Sequence, residues 1–253
     1  AAAIHCFDAS LSRQEKPLVR IFRDTLLPSI YDSEAQLLDV RRDFSDRLDR
    51  MLAADLRLDP DRDLFPSVFY LPYQGFDDRE LQQKLARLYA RATGQAAGAA
   101  AAPGPARSRA DSARIRIGFL SRFFYNHTIA RLTHGLVAQL PRDRFEVHVL
   151  SLGSAADTMN GAMQAAADTY HTLCSELPAA RNQIRALDLD VLFYTDIGMD
   201  PFTYSLAFTR LAPLQCVTWG HPVTTGIDTI DCFISSDLIE PPAIAEFRHL
   251  VFQ

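Results

Sequence analysis

Arg116-Ile-Gly-Phe-Leu-Ser-Arg-Phe-Phe-Tyr-Asn-His-Thr128 and Trp219-Gly-His-Pro-Val-Thr-Thr-Gly226 are the two stretches that decide the fold. Each reads as the end of an apolar strand that stops in a short polar loop carrying a histidine. In an open α/β sheet such loops lie at the carboxyl ends of the strands, where ligands bind. Two of them in one sheet can meet in one cleft.

Working outward, the chain from Arg114 onward alternates strand and helix patterns. Strands are predicted at Ile115–Ser121, Phe145–Leu152, Tyr170–Cys174, Val191–Thr195, Gln215–Trp219 and Asp231–Ser235. A helix carrying Ile129, Leu132, Leu136, Val137 and Leu140 follows the first strand. Others are expected around Thr158–Ala167, Ala179–Leu187 and Pro201–Thr209. This alternation implies βαβ units and a mostly parallel, doubly wound sheet. Strand Gln215–Trp219 is expected to be buried on both faces with Trp219 inside it, and the Gly220–Gly226 loop is expected to be exposed.

Residues 1–92 are expected to form a helical cap segment. Leu37, Val40, Phe44, Leu48, Met51 and Leu52 recur at helical spacing, and Ser33 with Gln36 gives that helix a capping-box start. A second helix is expected at Asp77–Ala92. Between them Phe65-Pro-Ser-Val-Phe-Tyr-Leu-Pro-Tyr-Gln-Gly75 carries two prolines and cannot be one regular element. Residues 93–113 are rich in Ala, Gly and Pro and hold no bulky apolar side chain, so they read as a flexible linker. Residues 114–253 then form the Rossmann-like part.

Composition narrows the function class. The 253 residues are 48% hydrophobic and 23% charged, and the net charge is -5. That balance suits a globular domain and argues against a nucleic-acid partner, which asks for a clustered basic surface. No run of apolar residues is long enough for a membrane helix and no signal segment opens the chain, so a cytoplasmic protein is expected. Cys6, Cys174, Cys216 and Cys232 fit no metal-binding spacing and read as reduced thiols, the last three in buried strands. The chain starts without Met and ends on Leu250-Val-Phe-Gln253, which reads as a piece of a longer protein.

Neither GxGxxG nor GxxxxGK[ST] is present, so a dinucleotide or P-loop site is poorly supported. In the loop after the first strand, Asn126 or Thr128 can cap the next helix. His127 then sits at a helix N-terminus, where the field favours the neutral imidazole, able to accept a proton or to bond a sugar hydroxyl. The alternative is a histidine that only braces its loop. His5, His134, His148, His171 and His249 carry only that structural reading. Gly220 and Gly226 permit close backbone approach to a ligand, and Thr224 and Thr225 offer hydroxyls for a sugar or phosphate. The same loop, with Pro222 at its centre, could equally be a tight structural turn. Asp196 and Gly198 lie in a third such loop, where Asp196 reads as a helix cap before it reads as a site residue.

These motifs resemble those of glycosyltransferase family 41, the O-linked N-acetylglucosamine transferases, in their bacterial form. The resemblance is carried by Arg116–Ser121 with Asn126-His127, and by Asp196-Ile-Gly-Met-Asp200. Arg210–Gly226 and Phe233-Ile-Ser-Ser-Asp-Leu-Ile-Glu-Pro241 extend it. It implies one Rossmann-like half of a GT-B enzyme and inverting transfer of N-acetylglucosamine or another hexose from a UDP-sugar to protein Ser or Thr. Some bacterial members glycosylate Asn. It also implies no metal and no cofactor beyond the donor, UDP-N-acetylglucosamine or a related UDP-sugar. The family's active-site histidine matches His127, and its donor-side loop matches Gly220, His221, Pro222, Thr224, Thr225 and Gly226. Asn126, Asp196 and Gly198 join them as substrate-binding candidates. His221 stands where animal members commonly carry tyrosine. The family's nucleotide contacts come mostly from a second GT-B domain, which is expected to lie outside this chain, so the fragment alone is expected to be inactive. Two rivals stand beside this reading: a non-catalytic binding or scaffold domain, and a GT-B nucleotide-sugar epimerase.

Overall fold

The computed structural model describes residues 2–94, 114–153, 156–221 and 223–236. The chain divides into two compact units, one of residues 1–99 with 223–227 and the other of 100–222 with 228–253.

Among the described residues the first unit holds four α-helices: α1 (Ala2–Leu11), α2 (Pro17–Thr25), α3 (Glu34–Ala53) and α4 (Arg79–Ala92). α3 starts where the capping signal lies. The Ser33 side chain accepts the Gln36 N–H, and Gln36 in turn accepts the N–H of Asp32. The apolar spacing of α3 buries Phe44, Leu48 and Met51 completely, against Leu81, Leu85, Leu88 and Tyr89 of α4. The proline-broken stretch between them packs as a loop containing one 3-10 turn, Pro72–Gln74. Phe65 stacks on Tyr89 at 4.5 Å, and the Tyr89 hydroxyl donates to the Pro66 carbonyl at 2.9 Å. Arg41 joins α3 to the start of α4: its guanidinium donates to Asp78 and to Gln74, both at 2.7 Å.

Among the described residues the second unit holds one sheet of six strands: β1 (Ile115–Ser121), β2 (Phe145–Ser151), β3 (Thr169–Thr172), β4 (Val191–Tyr194), β5 (Leu214–Thr218) and β6 (Cys232–Ile234). All neighbours pair in parallel, in the order β3-β2-β1-β4-β5-β6. Helices α5 (Thr128–Gln139), α6 (Thr158–Ala166), α7 (Leu177–Ala186) and α8 (Pro201–Ala207) connect them. The central strands read as apolar runs because a parallel sheet is covered on both faces. Phe119, Val147, Val149, Phe193 and Cys216 form the core on one side. The doubly wound α/β class expected from the alternation is the one observed. Its strand order reverses between β1 and β4, the topological switch point at which such sheets hold ligands.

Strand ends differ from expectation by a residue or two, and two differences matter. β5 stops at Thr218, so Trp219 lies in a turn and is only partly buried. β3 stops at Thr172, leaving Cys174 exposed beyond it. Among the described residues β3 lies at one end of the strand order, with a sheet neighbour on one side, and its burial is correspondingly partial. The linker expected at 93–113 falls, from residue 95 on, outside the described residues, as do Pro222 and the segment 237–253. Among the described residues no helix is long and apolar enough to cross a membrane.

Candidate functional site at the carboxyl ends of the sheet

The loops after β1, β4 and β5 meet at the switch point. The first link is Asp196. It is fully buried just beyond β4, and its Oδ2 accepts the Ser121 hydroxyl at 3.0 Å and the Arg122 N–H at 2.9 Å, both at the end of β1. The second is Gly220. A Cβ there would lie 1.8 Å from the Thr195 carbonyl oxygen and 3.0 Å from Cδ1 of Ile129, so only glycine lets the β5 turn come down onto β4 and α5. The third is Gly198, with φ +95, whose missing Cβ leaves the space that the His221 ring fills. His221 is 4% exposed.

These contacts revise three expectations. Asp196 is not a helix cap. That role belongs to Asp200, whose Oδ1 accepts the N–H groups of Phe202 and Thr203 at 3.0 Å ahead of Pro201 at the first helical position. Gly220 and Gly226 allow close approach to the chain's own backbone, and no ligand is needed to explain them. Gly226, at φ +66, presses on the Gln82 main chain of α4, where a Cβ would lie 2.6 Å from a carbonyl carbon. The loop 220–226 is also not uniformly exposed. Thr224 is exposed, His221 and Thr225 are buried, and 223–227 group with the helical unit.

His127 itself caps α5. Its Nδ1 accepts the Ile129 N–H at 3.2 Å, and its ring stacks on Phe123 with centroids 4.6 Å apart. In the neutral ring so held the proton sits on Nε2, so the atom left to face a ligand is a hydrogen-bond donor. Asn126 is exposed. Its N–H donates to Asp157 at 2.6 Å and its side-chain oxygen accepts from Arg131 at 2.7 Å. The cap passed over Asn126 and Thr128 because the imidazole nitrogen reaches the same N–H.

Arg122 was not singled out from sequence. Its Nε lies 2.7 Å from Asp200 Oδ2, and its guanidinium carbon sits 5.7 Å from the Phe202 ring centroid. That leaves a partly exposed cation, oriented by a carboxylate, at the end of β1. The available signal was Asp200-Pro201, a cap-and-start pair that fixes a carboxylate at the start of α8. Burial pushes the Asp196 carboxyl up to about 7, and the neighbouring Asp200 charge adds to the shift. The carboxyl ends of β1 and β4 therefore carry a buried carboxyl whose pKa is raised and an arginine paired with Asp200, with His127 in the same β1 loop. Among the described residues no cluster of three or more His, Cys, Asp or Glu is placed to hold a metal ion.

No family model matches the chain. Over 128 residues, 49% of its length, the chain is 30% identical to a UDP-glucose:protein N-beta-glucosyltransferase of Actinobacillus pleuropneumoniae serotype 5b. Over 91 residues, 34% of its length, it is 30% identical to the protein of the same description from serotype 7. The chain spans 20% and 15% of the lengths of these two relatives. A point mutant of the Thermobaculum terrenum O-GlcNAc transferase superposes with a TM-score of 0.54 at 18% identity, over 84% of this chain and 38% of that one. The likeness is therefore to protein glycosyltransferases in sequence, and in fold to the α/β architecture of an O-GlcNAc transferase.

Proposed function

We propose that this chain is the Rossmann-like half of an inverting protein glycosyltransferase that uses a UDP-hexose donor. The observation that carries the reading is the convergence of the β1, β4 and β5 loops at the switch point, together with the sequence likeness to protein glucosyltransferases. A second Rossmann-like domain would supply most of the nucleotide contacts, so the chain is inactive without it.

In this reading a nucleophile on the acceptor protein attacks the anomeric carbon directly. As the new bond forms, the bond from the anomeric carbon to the diphosphate breaks, the configuration inverts, and the uridine diphosphate leaves with the proton that the acceptor gives up. His127 touches the reacting groups through Nε2–H. Because Nδ1 is engaged by the Ile129 N–H, the neutral ring orients an oxygen and does not take its proton. Arg122, held by Asp200, faces the negative charge that develops on the leaving diphosphate. Asp196 positions Arg122 and Ser121 and touches no substrate itself. The buried His221 shapes the floor through Gly198. Transfer of N-acetylglucosamine or another hexose to Ser or Thr is the first reading. The likeness to UDP-glucose:protein N-beta-glucosyltransferases favours a second, transfer of glucose to a protein nitrogen.

The test offers labelled UDP-glucose and UDP-N-acetylglucosamine, each with Ser/Thr-bearing and Asn-bearing peptides, to the full-length protein containing this chain. Sugar on peptide supports transfer, and the acceptor that is labelled chooses between the readings. Free sugar with UDP and no acceptor product assigns an epimerase instead. Neither turnover nor uridine-nucleotide binding leaves a scaffold.

A further inference from the structure

β5 and β6 pair in parallel register, and the register sets Cys216 opposite Cys232. Both side chains enter the sheet core, 2% and 9% exposed, among Phe193 and Val191. Their sulfurs are 2.9 Å apart. An S–H···S contact is a weak hydrogen bond, so it contributes little as a structural tie. Two thiols facing each other at this range are instead set for covalent chemistry.

We propose that Cys216 and Cys232 are a redox modification site, converted by a hydroperoxide into a reversible disulfide that links β5 to β6. The Cys232 thiolate attacks the peroxide: an S–O bond forms, the O–O bond breaks, and the leaving oxygen departs as water. The Cys216 sulfur then attacks the Cys232 sulfenic acid. The S–S bond forms, the S–O bond breaks, and the Cys216 proton leaves with the hydroxide as a second water. Two thiols lose two electrons and one hydrogen peroxide is reduced to two waters.

Cys232 is the attacking sulfur for two reasons. β6 is the end strand of the sheet among the described residues, and Cys232 is the more exposed of the two. The Cys216 thiol also holds Cys232 below the ordinary thiol range through their contact, while the same contact and burial push Cys216 up. Adjacent strands run about 4.8 Å apart, within the roughly 4.4–6.8 Å Cα separation over which a disulfide closes, so the bond can form without moving the strands. The bond fastens a three-residue strand to the strand that delivers Gly220 and His221.

The experiment treats a Cys6→Ser/Cys174→Ser chain, which removes the two exposed thiols, with hydrogen peroxide in the folded state. It is then quenched, denatured, alkylated and digested. The expected result is one cross-linked peptide pair joining Cys216 to Cys232, lighter by two hydrogens, with dithiothreitol restoring two alkylated cysteines. Recovery of both as alkylated thiols, as sulfinic acids, or as links between chains overturns the proposal. If the serine variant does not fold, the same peptide map on the unsubstituted chain reads the same two positions.

Discussion

The Asp196 carboxylate accepts the backbone N–H of Arg122 at 2.9 Å, tying the end of β4 to the end of β1 across the point where strand order reverses. The same oxygen takes the Ser121 hydroxyl. One buried side chain thus holds closed a place where two chains of backbone would otherwise diverge, and it fixes the main chain from which Arg122 reaches Asp200.

That burial makes Asp196 a source of pH dependence. Its folded value is raised from 3.8 to about 7, so the folded chain holds a proton that the unfolded chain releases. The contribution is therefore fully present below about 4 and is lost as pH rises towards about 7, at about 1.4 kcal/mol per unit within that window. Asp196→Asn keeps an acceptor oxygen and cannot ionise. Urea unfolding from pH 4 to 8 should show the wild type losing stability relative to the variant as pH rises. Parallel curves would remove Asp196 from the titrating groups.

His127 has two roles to separate. His127→Ala deletes the α5 cap and should reduce stability by about 1 kcal/mol. His127→Asn restores a capping oxygen, and its melting temperature should match the wild type. Both should lower sugar transfer by the full-length enzyme by roughly 10²–10³-fold, the size of losing one preorganised donor, if Nε2–H orients a reacting group. An Asn variant with normal turnover would leave His127 a cap and nothing more.

Gly220→Ala places a methyl group 1.8 Å from the Thr195 carbonyl oxygen. The turn must lift, at a cost of about 1–3 kcal/mol or more. Chemical denaturation should show that loss, and the emission of Trp219, the only tryptophan, should shift with the displaced turn. An unchanged spectrum and midpoint would mean that the turn is looser than its contacts imply.

In the helical unit, Arg41 faces Asp78 with side chains 12% and 1% exposed. Burial raises the Asp78 carboxyl although Arg41 opposes the shift. Arg41→Met leaves that carboxylate buried without its partner, and should destabilise the fold by about 3–5 kcal/mol at neutral pH. Adding Asp78→Asn to Arg41→Met should recover much of the loss. A single variant as stable as the wild type would contradict the buried-pair account.

The class of this fold was legible in the chain because periodicity is a local property. Ile115–Ser121 as a strand, Phe44, Leu48 and Met51 as one helical face, and the Ser33–Gln36 start of α3 all follow from spacing and capping chemistry over a few residues. Where a strand stops is less local. Trp219 reads as strand by its side chain, yet Gly220 must fold onto the Thr195 carbonyl, and that demand ends β5 at Thr218. The roles within the site were not legible at all. Asp196 reads as a cap in sequence, and only the neighbouring strand's Ser121 and Arg122 decide that Asp196 is the tie, while Asp200 is the cap. Likewise three glycines that look like ligand-facing positions are spent on approach to Thr195, to His221 and to Gln82. Sequence determined which elements form, because that choice rests on neighbours a few residues apart. Tertiary structure decided what Asp196, His127 and Gly220 do, because their partners lie on other elements and meet them only when the sheet is assembled.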